Sequence, residues 1–277
     1  SSTWRPAIKD FNVLLTCAGR RNYLFQYFRD ALKGRGKVFA ADLSPYAPAM
    51  LEAGKNTLSV PPVDDPAYFD KLLKACRAKK IKLLLSLNDF ELPGLSRQAG
   101  RFREAGVAVV VSPPEIVDLC FDKWATFRKL VELGVPAPAT YLGLADARGA
   151  LKDGILSFPL IVKPRWGTAS VCVERVENEQ ELARAYDWVS KKMAKTAVGS
   201  VGLPQDERIV IQNTLVGTEF GVDIVNDLDG RHRAVIVKRK LSMRAGETDR
   251  AVTVKEPRIA ALARKIGESL GHRGLMD

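Results

Sequence analysis

A lysine at the end of a predicted strand, followed at once by a short loop of glycine, threonine and serine, is suited to holding phosphate oxygens. Such a segment occurs here as Lys163-Pro164-Arg165-Trp166-Gly167-Thr168-Ala169-Ser170-Val171. The lysine supplies a mobile positive charge, and the loop N–H groups and hydroxyls supply directional donors. It is not a Walker loop, because G-x-x-x-x-G-K-[ST] is absent and a strand, not a helix, follows. Three other groups accompany it in order: Asp122-Lys123 at the start of the preceding helix, the run from Gln212 through Asn213, Thr214, Leu215 and Gly217 to Glu219, and Asp223 with the basic stretch Lys238-Arg239-Lys240. Each has a plainer reading when taken singly. Lys123 reads as a solvated first-turn lysine, Gln212–Glu219 as an edge strand with a turn at Gly217, and Lys238–Lys240 as an alternating strand with one or two members in solvent.

A second anion-directed arrangement is Thr16-Cys17-Ala18-Gly19-Arg20-Arg21-Asn22, a turn between a strand and a helix that aims N–H groups at one spot. A dinucleotide fingerprint needs G-x-G-x-x-G, and here only Gly19 is present, so a structural turn is the better reading, although Asp42 ends the next strand as a ribose-binding acid would. Arg20 and Arg21 read as surface charges or as capture groups for a substrate carboxylate. Asp89 and Glu91 read as acids at a helix N-terminus or as groups approaching a substrate.

The elements that must position these residues alternate strand and helix in the first half. Strands are expected at Asn12–Cys17, Lys37–Ala41, Ile81–Leu87 and Val107–Val111, and helices from Tyr23 to Leu32 and over Tyr68–Ala78 and Glu91–Glu104. Continuous apolar strands imply a parallel sheet covered on both faces, hence a Rossmann-like α/β unit. After Pro113-Pro114 the pattern changes. A helix over Asp122–Leu133 stops at Gly134. Strands follow at Phe158–Val162 and Ser170–Val176, then an amphipathic helix bearing Leu182, Tyr186, Val189 and Met193, and a polar loop at Ala197–Asp206. Further strands are expected at Arg208–Gln212, Glu219–Asn226 and Arg233–Lys240, the last two joined as a hairpin through Asp227–Arg231. A final helix over Arg258–Leu270 points Ile259, Leu262, Ile266 and Leu270 inward, and a strand is due at Gly274–Asp277.

The chain has 277 residues, 46% hydrophobic and 27% charged, enough for two domains and unlike a disordered or fibrous chain. The net charge of +11 is spread evenly: residues 1–119 hold 18 basic and 12 acidic side chains, so no basic arm points to nucleic acid. Anionic small molecules suit the charge equally well. No apolar stretch is long enough for a membrane helix, and Ser1–Asp10 does not resemble a secretory signal. Cys17, Cys76, Cys120 and Cys172 lie far apart in apolar segments, which reads as buried, reduced thiols of a cytoplasmic protein and leaves no zinc spacing.

Taken together and in this order, the motifs resemble the ATP-grasp superfamily, most closely carboxylate–amine ligases similar to the carbamoyl-phosphate synthase large subunit. The resemblance covers most of the chain. It implies an α/β fold, with a Rossmann-like pre-ATP-grasp domain over 11–115 and an ATP-grasp domain over 120–277. The latter would comprise a small lid subdomain at about 125–212 and the start of a large subdomain at 213–277. It further implies ATP and Mg²⁺ as cofactors. Lys123 and Lys163 would contact phosphates, and Lys163 also the adenine edge. Arg165–Ser170, including Gly167, Thr168 and Ser170, would form a closing loop. Gln212, Asn213, Thr214 and Leu215 would form the adenine hinge, Glu219 would accept from a ribose hydroxyl, and Arg239 would sit near the γ-phosphate. The expected activity is amide or peptide bond formation between a small-molecule carboxylate and an amine, without nucleic acid or membrane, and with a homodimer left open. The hinge carries Asn213 where a glutamate is usual, and the usual Mg²⁺ ligands would follow residue 277, so a degenerate, non-catalytic ATP-binding protein is the rival expectation.

Overall fold

The computed structural model describes residues 10–167, 171–193, 204–244 and 247–277. Thr168, Ala169 and Ser170, and most of the loop expected at Ala197–Asp206, lie outside the described residues. The chain divides into two units, Ser1–Val117 and Asp118–Asp277.

The first unit runs β1 (Asn12–Thr16), α1 (Asn22–Leu32), β2 (Val38–Asp42), α2 (Pro48–Ala53), β3 (Thr57–Ser59), α3 (Tyr68–Ala78), β4 (Ile81–Ser86), α4 (Leu92–Glu104) and β5 (Ala108–Val110). Its five strands are all parallel, in the order β3-β2-β1-β4-β5. The continuous apolar strands are explained by helices on both faces. Leu14 of β1 packs with Tyr68, Leu72 and Cys76 of α3 and with Leu95 and Phe102 of α4. Its neighbours Val13 and Leu15 point the other way, to Phe25 and Leu32 of α1 and Met50 and Ala53 of α2. A parallel sheet clad on both sides is the Rossmann-like architecture expected.

The strand order reverses between β1 and β4, the place where open α/β sheets leave a crevice. Here it is closed by Glu91, which is fully buried. Its carboxylate accepts from Thr16 Oγ1 at the end of β1 (2.6 Å), from Ser86 Oγ at the end of β4 (2.5 Å), and from the Tyr68 hydroxyl of α3 (2.7 Å). Glu91 is thus a structural acid joining three elements. The turn after β1 is equally settled. Cys17 and Gly19 take φ of 49° and 50°, and Asp42 accepts from the Gly19 N–H (2.8 Å) and the Ser44 N–H (2.9 Å). Asp42 braces the turn, as the structural-turn reading requires.

The second unit follows α5 (Pro114–Phe121), within which the two units meet in sequence. It runs α6 (Lys123–Glu132), β6 (Thr140–Leu142), α7 (Gly143–Lys152), β7 (Leu160–Pro164), β8 (Glu174–Val176), α8 (Glu179–Met193), β9 (Ile209–Asn213), β10 (Phe220–Asn226), β11 (His232–Arg244), β12 (Glu247–Val254), α9 (Pro257–Leu270) and β13 (Gly274–Met276). These form two four-stranded antiparallel sheets, β6-β9-β7-β8 and β12-β11-β10-β13. One face of the first sheet, with Leu160, Val162, Ile209 and Ile211, packs on Ala147 and Ala150 of α7 and on the expected α8 stripe Leu182, Tyr186, Val189 and Met193.

In the second sheet, α9 lies against β10 and β11. Its inner face is Ala263 and Gly267, and Leu262, expected inward, is exposed. The reason is close approach: a Cβ at Gly267 would come within 2.6 Å of Ile224 Cγ2, so the small residues sit against the sheet. Asn226 donates to the Gly267 carbonyl (2.9 Å), and His272, buried before β13, lies with Nε2 3.0 Å from the Ile224 carbonyl. That burial pushes the imidazole pKa down. The strand due at the C-terminal segment is β13, paired antiparallel with β10.

The cysteines depart from expectation. All four are free thiols, but only Cys76 is buried; Cys17 and Cys172 are partly covered and Cys120 is exposed. An apolar neighbourhood in sequence does not set which way one side chain points. Cys17 and Cys172 moreover sit at positive φ, in turns and not in strands. Among the described residues no helix is long and apolar enough to cross a membrane.

The Glu91 arrangement makes a prediction. Glu91→Ala leaves three donors facing an apolar cavity and should lower the stability of the first unit by about 3 kcal/mol. Urea unfolding measures this, and an unchanged midpoint would mean that the carboxylate does not hold the strand ends together.

Candidate nucleotide-binding site

The two sides of the β6-β9-β7-β8 sheet differ sharply. Strand alternation sends Leu160, Val162, Ile209 and Ile211 into the core, and sends Lys163, Gln212 and Thr140 to the other face. Thr140 pairs with Gln212 in register, and Gln212 Nε2 donates to Thr140 Oγ1 at 2.6 Å. Lys163 stands near the end of β7, where the chain leaves for the Trp166-Gly167 loop.

Lys123 reaches the same place from α6. Asp122 caps that helix, accepting from the N–H groups of Trp124 (3.0 Å) and Ala125 (3.2 Å). The same carboxylate takes a bidentate ion pair from Arg165, Nε to Oδ1 at 2.8 Å and Nη2 to Oδ2 at 2.6 Å, with the two side chains only 15% and 12% exposed. The Lys123 N–H donates to the Arg165 carbonyl (3.1 Å), and Lys123 Nζ donates to the Gly167 carbonyl (2.8 Å). Arg165 continues to the Arg208 and Glu207 carbonyls (2.9 and 3.2 Å) and stacks on Trp166 at 4.6 Å. Arg165, expected to move with the closing loop, is therefore clamped at its base.

Electrostatics set the two lysines apart from ordinary surface cations. The Lys123 ammonium is held down at about 8, by burial first and by the Lys163 charge second, with Asp122 acting in the opposite direction. Burial likewise lowers Lys163. Among the described residues neither lysine has a carboxylate within ion-pair distance. Two partly desolvated ammonium groups that feel each other's charge, without a counterion, favour an anion of high charge density.

The hinge residues are only partly gathered there. The N–H groups of Asn213 and Thr214 are already engaged, with the Ala139 carbonyl (3.1 Å) and the Pro159 carbonyl (3.3 Å). Asn213 pairs with Leu160, which places its side chain on the helix-covered face, away from Lys163. Its Oδ1, like Thr214 Oγ1, is buried and without a partner among the described residues. Leu215 is exposed. The N–H groups of Asn213 and Thr214 are thus not available to a base.

The second sheet corrects one assignment. Phe220 pairs with Arg239, so Arg239 points to the α9 side with Val237. The opposite face carries Glu219 and Asp223 with Lys240 and Lys238, joined as ion pairs of 2.7 and 2.6 Å. Alternation alone makes Lys238 and Lys240, and not Arg239, the cations beside Glu219. Gly221 leaves room between them: a Cβ there would lie 3.6 Å from Lys238 Cε, 3.7 Å from Lys240 Cε and 3.7 Å from Asp277 Oδ1. Asp277 was missed from sequence, because only the pairing of β13 with β10 brings it to this face.

A shallow cavity of about 410 Å³ between β8 and α8, lined by Arg175, Arg184 and Trp188, involves none of these residues. Among the described residues no cluster of three metal-ligating side chains forms.

Comparison with known proteins agrees with this arrangement. Residues 13–110 match the family described as PylC-like, N-terminal domain, and residues 156–270 match the ATP-grasp domain. Among solved structures, biotin carboxylase from Campylobacter jejuni superposes with a TM-score of 0.73 at 16% identity over 98% of the chain. The biotin carboxylase domain of 2-oxoglutarate carboxylase from Hydrogenobacter thermophilus gives 0.71 at 15% over 96%. An L-amino acid ligase from Bacillus licheniformis gives 0.67 at 21% over 96%. The chain spans 62%, 60% and 64% of these proteins, less than two thirds in each case. At these identities the likeness is one of fold. Residues 156–270 thus carry an ATP-grasp domain, behind a PylC-like N-terminal domain over residues 13–110.

Proposed function

We propose that the chain binds ATP with Mg²⁺ and forms part of a ligase that activates a small-molecule carboxylate as an acyl-phosphate and joins it to an amine. The observation that carries this reading is the pair Lys123 and Lys163, both partly buried and neither in an ion pair among the described residues, beside the Trp166-Gly167 loop. In the reaction a carboxylate oxygen attacks the γ-phosphorus and ADP leaves. The amine nitrogen then attacks the acyl carbon, the C–O bond to phosphate breaks, and the amine loses a proton. Lys123 and Lys163 would hold phosphate oxygens and offset the charge that gathers on the transferring group. Glu219 would accept from a ribose hydroxyl, and Thr214 Oγ1 would gain the partner it lacks. The neighbours' names agree with this reading: the H. thermophilus domain is in complex with MgADP and bicarbonate, and the B. licheniformis protein is an amino acid ligase.

Mg²⁺ is ordinarily held by one or two carboxylates together with phosphate oxygens, so the residues present fit it in part. Asp277 would be such a carboxylate, while Glu219 and Asp223 already face lysines. When bound, the ion would neutralise charge between the phosphates.

The lysines yield two predictions. Lys163→Ala should weaken ATP binding roughly 30-fold and adenosine binding much less, since the phosphates carry the charge that the ammonium meets while the adenine edge offers it only a neutral acceptor. Calorimetry with both ligands measures this, and equal losses would remove Lys163 from the phosphate site. The lowered Lys123 pKa gives a pH dependence. The folded protein sheds this proton near pH 8 and the unfolded chain holds it to about 10.5, so this group's contribution to stability rises with pH across that window. Lys123→Met should therefore raise the melting temperature of the ligand-free protein at pH 7 by ~2–4 °C while abolishing stabilisation by ATP. In the unsubstituted chain, ATP binding at pH 8.5 should take up protons, seen as a dependence of binding heat on the buffer. A buffer-independent heat would count against Lys123 as a phosphate ligand.

A further inference from the structure

We propose that Asp122 and Arg165 are a positioning pair that holds the Lys123 and Lys163 side chains at one point, and that Arg165 is not itself a phosphate ligand. The inference rests on the nucleotide reading above and adds to it the residues that shape the phosphate site.

The geometry argues for this in three ways. First, the pair brackets the lysines in sequence and in space: Asp122 immediately precedes Lys123, and Arg165 follows Lys163 by two residues. The main-chain bond from Lys123 N to the Arg165 carbonyl, 3.1 Å, runs beside the bidentate side-chain contact. A helix start and a strand end are thereby fastened at three points. Second, Arg165 also reaches the Glu207 and Arg208 carbonyls, so the entry to β9 is tied into the same joint. Third, the charges divide the labour. Asp122 is occupied by Arg165, which leaves Arg165 neutralised and neither lysine in an ion pair among the described residues. A lysine ammonium rides on a flexible four-carbon stem, so two of them stay close together only if their main chains are held. The planar guanidinium fork supplies that stiffness, which an ammonium in its place does not.

The test compares Asp122→Asn and Arg165→Lys with the unsubstituted full chain. Asparagine keeps the helix cap and loses the charge; lysine keeps the charge and loses the fork. Affinities for adenosine, ADP and inorganic tripolyphosphate are measured by calorimetry, with circular dichroism to monitor the fold. The proposal expects each variant to lose roughly tenfold or more toward tripolyphosphate and ADP, with adenosine changed less than about threefold. In a Lys123→Met background, Asp122→Asn should cost less than it does in the unsubstituted chain, because one of the two groups it positions is gone. Equal losses for adenosine and tripolyphosphate, or full additivity with Lys123→Met, would overturn the positioning role and leave a scaffold contact. Should Asp122→Asn fail to fold, Arg165→Lys is read by the same criteria. An unsubstituted chain that binds none of the three ligands overturns the nucleotide reading itself, a result distinct from the others.

Discussion

The contact between the Asp122 carboxylate and the Arg165 guanidinium is the constraint on which the site in the second unit depends. A carboxylate that caps a helix and accepts a two-pronged ion pair fixes both the axis of α6 and the end of β7. Removing one partner from such a half-buried pair strands the other charge, and for fully buried pairs the cost reaches about 3–5 kcal/mol. The repulsion between Lys123 and Lys163, which would otherwise drive the two elements apart, is borne by this joint.

The first unit solves a different problem with a similar economy of means. Its buried acid, Glu91, has no cation among the described residues; three hydroxyl groups, from β1, β4 and α3, satisfy it instead. Hydroxyl donors cross-link the carboxyl ends of the two strands at the reversal of strand order, and they do so without placing a second charge in the core. The same carboxylate, after burial itself, helps push the Cys17 thiol up to about 12, so that cysteine stays a neutral, unreactive group.

Much of the framework was legible in the sequence, because hydrophobic period and strand length report burial directly. The double-sided sheet of the first unit follows from strands such as Val13-Leu14-Leu15, whose alternate residues enter two different cores. The α8 stripe and the hairpin of β10 and β11 follow from the same logic. Where neighbouring residues compete for one face, sequence fell short. Leu262 is more apolar than Ala263, yet the sheet comes too close for a leucine, and Ala263 and Gly267 take the inner position. Arg239 looked like the central cation of its run, but pairing with Phe220 turns it to the α9 side. The short helices α2, α5 and α7 carried too little periodicity to be read.

The order of motifs, Asp122-Lys123, Lys163 to Gly167, then Gln212 to Glu219, was enough for the resemblance to the ATP-grasp superfamily, and the ATP-grasp match over residues 156–270 agrees with it. Which atoms meet is a property of register and packing, and only the tertiary structure decided it. Asp122 is separated from Arg165 by 43 positions, and Asp277 from Gly221 by 56. No local pattern encodes such pairs. They are set by the strand partner of each segment and by the face on which each side chain emerges. A slip of one residue in either strand would exchange those faces.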